Sequence, residues 1–224
     1  FQKPDEVARL IREFLAEERR MMDEGSAGAV TASWLRTTTG HLERALAFWG
    51  PDRPLDAIDP EHVLEWAAHL SRTVAGRGMD GKKRAKLSND SLRHHLHALS
   101  KMYGYANFKR MLPATYNPVR ALPRRLKPSV KRPEARFLEV PDAARLLEAC
   151  RAVPSKRPDL ACPFLYELVA TFLLTGGRRR EVLGLEVDDV SFDRRTVTFR
   201  PNHWRRLKNA TSARVVPLWP QLET

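Results

Sequence analysis

The sequence predicts a mainly α protein: an amino-terminal helical domain of four or five helices, then an α+β domain carrying a small three-stranded antiparallel sheet. Three observations carry this. Apolar residues recur at helical spacing through most of residues 7–106. Prolines and basic side chains crowd into 123–136 and break the pattern. Alternation with a period of two enters only after residue 190.

Each element has its own signal. Val7, Leu10, Ile11, Phe14 and Leu15 stripe a first helix from Pro4 to Asp23. Thr31 is placed to cap a second, with Leu35, Leu42, Leu46 and Trp49 inward and Gly50-Pro51 as its stop. Asp59-Pro60-Glu61 caps a third that buries Val63, Ala67 and Leu70. After a Gly/Lys-rich loop from Val74 to Lys86, Ser88 to Asp90 open a fourth, with Leu92, Leu96, Leu99, Met102 or Tyr103, and Ala106 inward. Asn117-Pro118 starts a last short turn or helix. Residues 1–122 thus form the helical domain, 123–136 a basic, proline-rich linker, and 137–224 a second domain. There, Pro141 to Ala152 and Pro163 to Thr175 read as helices, the latter apolar nearly all round and so expected to be central. Gly176-Gly177 ends it, and a short helix follows over Arg178 to Leu185. Val190-Phe192, Thr196-Arg200 and Ala213-Leu218 read as strands.

Composition narrows the function. The 224 residues carry 39 Lys+Arg against 27 Asp+Glu, a net charge of +12. That excess suits a polyanion, because neutralising phosphates releases condensed counterions. The charge is clustered: Lys109 to Arg136 holds nine basic residues and one acid, and Arg200 to Arg214 holds five and none. Neither run sits on a clean amphipathic helix, which disfavours a membrane surface. The apolar stretch from Leu165 to Leu174 is interrupted by Glu167 and is too short to span a bilayer. No apolar leader opens the sequence, and two cysteines build neither a disulfide framework nor a zinc site, so a reducing, cytoplasmic setting is expected.

Three stretches carry the chemistry. His95-Leu96-His97-Ala98-Leu99-Ser100-Lys101-Met102-Tyr103 precedes Asn117-Pro118-Val119. Thr175-Gly176-Gly177-Arg178-Arg179-Arg180-Glu181-Val182-Leu183-Gly184-Leu185 leads to Asp188-Asp189-Val190. Lys208 precedes Arg214-Val215-Val216-Pro217-Leu218. In this order they resemble the tyrosine recombinases, or phage integrase family: a SAM-like core-binding domain, an arginine box and a hairpin bearing a lysine.

The resemblance implies a site-specific DNA recombinase or integrase that works through a 3′-phosphotyrosine intermediate, with no metal and no nucleotide cofactor. It implies double-stranded DNA as partner at a recombination site, self-association on that DNA as a tetrameric synapse, and a nucleoid-associated location. Its catalytic residues fall on Arg178, which contacts the scissile phosphate, and on Lys208, with Glu181 in support. Residues expected to contact DNA are Arg36, Lys83, Arg84, Arg93, His94, His97, Lys101, Arg124, Arg125, Arg179, Arg180, Arg205 and Arg206.

The residue types suit this chemistry. Transesterification needs a positive fork on the non-bridging oxygens and a proton donor for the departing hydroxyl. Arginine supplies a fork that never titrates, here at a helix start whose amides favour an anion. Glu181, one turn on, can hold the guanidinium. Lys208 is placed to protonate the leaving oxygen, its pKa pressed down by Arg205 and Arg206.

Some features point elsewhere. His94, His95 and His97 suggest a metal but lack an acidic or cysteine complement, so they read as a helix face toward DNA. His203 precedes Lys208, whereas the family's histidines come later, and reads as surface or phosphate-contacting. The family's second half, including the nucleophilic tyrosine, has no match here: Tyr103, Tyr105, Tyr116 and Tyr166 all precede Arg178. The expectation is a fragment cut short and inert by itself. Two alternatives stand beside it: a non-catalytic module occupying recombination sites, and a metal-dependent nuclease using Glu181, Asp188 and Asp189.

Overall fold

A computed structural model describes residues 6–73, 87–129, 134, 137–156, 162, 164–205, 207 and 210–222. Its contacts divide the chain into two units, Phe1–Pro133 and Glu134–Thr224.

The first unit is helical: α1 (Val7–Asp23), α2 (Ala32–Trp49), α3 (Pro60–Thr73), α4 (Asn89–Phe108) and α5 (Pro118–Ala121). Its helix starts follow from local chemistry. The Thr31 hydroxyl accepts from Trp34 N–H at 3.2 Å, Ser88 from Ser91 N–H at 3.2 Å, and Asn117 from Arg120 N–H at 3.1 Å. Asp59 takes His62 N–H at 2.9 Å, ahead of Pro60 at the first helical position. Each such cap satisfies a donor that the helix cannot, typically worth about 1 kcal/mol.

The apolar stripes converge on one core. Val7, Leu10, Ile11 and Phe14 of α1 meet Leu42 and Ala45 of α2, Val63, Trp66 and Leu70 of α3, and Leu92, Leu96, Leu99, Met102, Tyr103 and Ala106 of α4. Trp66, fully buried, is the core residue that the α3 pattern did not single out, and Ala67 beside it is only half-buried. Two tyrosines lock the connections. Tyr103 Oη donates to Leu55 C=O at 3.1 Å, and Tyr116 Oη reaches Asp56 and Ile58 C=O at 2.7 and 3.0 Å.

The start of the expected linker is part of this unit. Arg124–Leu126 make a 3-10 turn, Lys127 Nζ donates to Arg120 C=O at 3.4 Å, and Asn89 donates to Ser129 C=O at 2.8 Å. Its backbone bonds are local, Leu126 N–H to Pro123 C=O at 2.9 Å and Lys127 N–H to Arg124 C=O at 3.3 Å, and side-chain bonds tie the stretch to α4 and α5. The loop 74–86 lies outside the described residues.

The second unit runs α6 (Val140–Lys156), α7 (Leu165–Thr175), α8 (Arg179–Val182), β1 (Val190–Ser191), β2 (Thr196–Phe199) and β3 (Arg214–Pro217). The sheet is antiparallel in the order β1-β2-β3, with Val190 opposite Val197 and Phe199 opposite Arg214. Val197, Phe199, Val182 and Leu218 form its buried cluster. Among the described residues that cluster is far smaller than the core of the helical unit, so polar anchoring carries more of this unit's order. α7 is less central than its composition predicts. Only Ala170 and Thr175 are buried, while Leu173 stays 37% exposed.

Two glycines shape the turn out of α7. Gly176 has φ +59°, a left-handed conformation that side chains resist. At Gly177 a Cβ would lie 2.5 Å from Val182 Cγ2 and 2.9 Å from Phe199 Cζ, so only glycine lets α7 close against β2.

Candidate phosphate-binding site

Arg178 sits just beyond that turn, immediately before α8. Its guanidinium Nη1 donates to Glu181 Oε1 at 2.7 Å and reaches Ser212 Oγ at 3.4 Å. Its backbone N–H donates to Glu181 Oε2 at 2.9 Å. The pairing is asymmetric. The Glu181 side chain is 3% exposed and that of Arg178 is 57% exposed, so a buried carboxylate holds a cation that faces outward. Glu181 also accepts from Arg214 Nη2 at 3.0 Å. Burial by itself raises the Glu181 pKa. Hydrogen bonds from the Arg178 backbone, the Arg178 guanidinium and Arg214 outweigh it and hold the carboxyl at about 2. Glu181 is therefore a fixed anion, unsuited to taking up protons near neutral pH.

Gly176, Arg178, Thr211, Ser212 and Arg214 line an open pocket of about 360 Å³. Two guanidiniums share one carboxylate, so the group keeps a net positive charge, which suits a small oxyanion. The helix-start contribution expected for Arg178 is slight. α8 is a single turn of four residues, and the Arg178 amide is already taken by Glu181.

Arg214 and Ser212 were missed as site residues. The available signal was the period-two pattern of β3, which puts Arg214 on the same face as Val216, opposite Phe199. The Arg214 guanidinium lies 4.4 Å from the centre of the Phe199 ring.

Arg205 corrects the expected DNA-contacting set. It is buried at 1% exposure, with Nη1 on Glu181 C=O at 2.8 Å, Nε on Arg200 C=O at 2.8 Å and Nη2 on Asp189 Oδ2 at 3.0 Å. A guanidinium so engaged has no face left for a phosphate. Lys208, Arg206, Lys83 and Arg84 lie outside the described residues.

Arg179 and Arg180 are exposed beside Arg178. In the helical unit, Arg93, His94 and His97 come together with Asp90, Arg120 and Lys127 around a concavity of about 410 Å³. Lys101 is exposed but stands apart from it, its ammonium 4.5 Å from the centre of the Trp34 ring. Arg124 and Arg125 are exposed on their 3-10 turn, and Arg36 lines a separate concavity with Arg19 and Glu43. His95 departs from its neighbours. It is buried, with Nε2 3.1 Å from Arg44 Nη1 and Nδ1 2.8 Å from Ser91 C=O, so it belongs to the core.

Two of the three carboxylates of the nuclease alternative are otherwise engaged, while Asp188 is exposed. Asp189 is buried and bonded to Arg200 at 2.7 Å and to Arg205, while Glu181 holds Arg178 and Arg214. The four tyrosines make structural contacts. Tyr103 and Tyr116 donate to carbonyls, Tyr105 packs on Phe14, and Tyr166 lies under the Arg151 guanidinium at 4.0 Å.

No family model and no curated protein matches this sequence. Among solved structures the chain is similar to the Tn1549 transposon integrase in complex with transposon right end DNA, with TM-score 0.69 and 15% identity over 97% of this chain and 62% of that one. It is also similar to the same integrase with circular intermediate DNA, with TM-score 0.67 and 16% identity over the same shares. The chain spans about three fifths of the length of those integrase chains. At this identity the likeness is one of fold, and it is to an integrase, the kind of protein that the sequence motifs resemble. No helix among the described residues is long and apolar enough to cross a membrane.

Proposed function

We propose that this chain is the DNA-gripping and phosphate-binding part of a tyrosine-type site-specific recombinase. The observation that carries the reading is the outward-facing Arg178, braced from beneath by the buried Glu181 at 2.7 Å. Such bracing fixes the guanidinium in one place with its outer face turned to solvent, as a developing oxyanion requires. The fold shared with an integrase on DNA supports it.

In this mechanism a tyrosine oxygen attacks the scissile phosphorus, the bond from phosphorus to the 5′-oxygen breaks, and a 3′-phosphotyrosine and a 5′-hydroxyl result. Arg178 stabilises the charge on the non-bridging oxygens. Lys208 gives its proton to the departing 5′-oxygen. The nucleophile is assigned to none of the four tyrosines of this sequence, all of which precede Arg178. Exposed Arg93, Arg120, Lys127, Arg124, Arg125, Arg179 and Arg180 neutralise backbone phosphates, while Arg36, His94, His97 and Lys101 border the same duplex. Assembly of four copies around paired sites belongs to this proposal.

A binding module that occupies such sites without cutting shares the same contacts and is the second reading. Duplex binding tests both. The affinity is expected to fall linearly with salt on a double-logarithmic plot, with a slope near −0.9 for each phosphate neutralised. A slope near zero would remove both readings. Loss of strand cleavage with retained binding on Arg178→Ala, in cleavage-competent protein, separates the enzyme from the module.

A further inference from the structure

We infer that Arg214 is a second phosphate-binding residue of the Arg178 pocket, and that Glu181 is the shared brace that lets two guanidiniums stand together. The inference deepens the reading just given and rests on that site binding a phosphate.

Two like charges side by side repel, and an arginine pair usually separates unless something holds it. Here three contacts hold Arg214. Nη2 donates to Glu181 Oε2 at 3.0 Å, Nη1 donates to Ser212 C=O at 3.2 Å, and the guanidinium plane lies over Phe199 at 4.4 Å. Backbone pairing of Phe199 with Arg214 across β2 and β3 fixes the stacking from below. These contacts use only part of the guanidinium, whose side chain remains 31% exposed on the pocket wall that it shares with Arg178, Thr211 and Ser212.

The charge count points to the class of ligand. Were Glu181 paired with Arg178 alone, the pair would be neutral and the pocket a weak anion site. Arg214 restores one net positive charge, the complement of a phosphodiester, which carries a single negative charge. The two guanidiniums approach the pocket from different elements, Arg178 from the α7–α8 turn and Arg214 from β3. That arrangement offers donors to both non-bridging oxygens of one phosphate. A brace alone would need no exposed face on Arg214; a ligand contact does.

The test uses the protein labelled with 15N at arginine and follows the Nε–Hε resonances of Arg178 and Arg214, first with inorganic phosphate and then with duplex DNA. Both resonances are expected to move with phosphate along one binding curve. Arg214 is expected to move still in Arg178→Ala, with affinity lower by about tenfold, the loss typical of one charge-assisted contact. Arg214→Lys, which keeps the charge and spares the fold, should bind phosphate more weakly than wild type but more tightly than Arg214→Ala. Movement of Arg178 without Arg214 under either ligand overturns the inference while leaving the DNA reading standing. Movement of both with phosphate and of neither with DNA supports the inference and removes the DNA reading. No movement of either resonance with phosphate overturns the inference as well.

Discussion

Arg205 and Asp189 form a salt bridge of 3.0 Å in which neither side chain has any solvent exposure. Arg200 caps the other Asp189 oxygen at 2.7 Å, and Arg205 also ties down the Glu181 carbonyl. Arg205 therefore ties the loop after β2 both to the 187–189 turn and to the short helix that carries the Arg178 brace. With few apolar residues in this unit's buried cluster among the described residues, its order depends on that link.

Removing one partner leaves the other charge buried. Asp189→Ala is expected to destabilise the second unit by about 3–5 kcal/mol. Burial by itself raises the Asp189 pKa, but hydrogen bonds from the Glu186 backbone, Arg200 and Arg205 lower it overall, so the carboxylate is charged in the wild type. Urea unfolding followed through Trp204 and Trp219, against a background with Trp34, Trp49 and Trp66 replaced by phenylalanine, measures the loss. A change below 1 kcal/mol would show that the bridge is not structural.

Gly177 is expected to tolerate no side chain. Gly177→Ala drives a Cβ to within 2.5 Å of Val182 Cγ2, and overpacking of this kind costs about 1–3 kcal/mol. The same unfolding signal should report it, with phosphate affinity falling in parallel as the Arg178 turn shifts.

The helical unit should weaken in mild acid. The His41 and His95 rings stack at 3.9 Å, with Arg44 on the same helix as His41, His94 one residue before His95 and Trp66 of α3 against them. Burial, then the neighbouring charges of His95, Arg44 and His94, lower the His41 pKa from 6.5 to about 4, and burial lowers that of His95 as well. Both rings are neutral when folded. Between pH 6.5 and about 4 the unfolded chain takes up protons that the folded pair refuses, so stability present above pH 6.5 is lost as pH falls. His41→Phe should flatten that slope in urea titrations at stepped pH. An unchanged slope would clear the pair of any part in it.

On the helical unit, Arg93→Ala and Arg120→Ala are each expected to weaken duplex binding by about 1 kcal/mol and to reduce the salt slope by about one. Lys101→Ala should do less, because its ammonium is engaged over Trp34. A larger loss at Lys101 than at Arg93 would move the DNA to the other side of α4.

Periodicity made the helical unit legible because it is built from local, amphipathic segments whose caps are written in single residues such as Thr31, Ser88 and Asn117. The arginine box was legible for a different reason: Gly-Gly before an arginine and a glutamate three residues on is a compact local pattern. What sequence could not show is pairing across distance. Arg205 and Arg214 look alike in a basic run, yet one turns inward to Asp189 and the other to Glu181 and the pocket. That choice depends on where β2, β3 and the 187–189 turn meet. α7 misled for a related reason, since an apolar composition records what a helix can bury and not how much of it is covered.

Arg178 is expected to divide chemistry from binding. In cleavage-competent protein, the measurement compares duplex affinity and single-turnover cleavage for wild type, Arg178→Ala and Lys208→Ala, using DNA with oxygen or sulfur at the bridging 5′ position of the scissile phosphate. Arg178→Ala is expected to lose at least about 10²- to 10³-fold in cleavage, with duplex affinity lower by no more than about tenfold and no rescue by sulfur. Lys208→Ala is expected to recover on the sulfur substrate, whose leaving group needs no proton. Cleavage by Arg178→Ala at the wild-type rate, or its rescue by sulfur to the same degree as Lys208→Ala, would contradict the account.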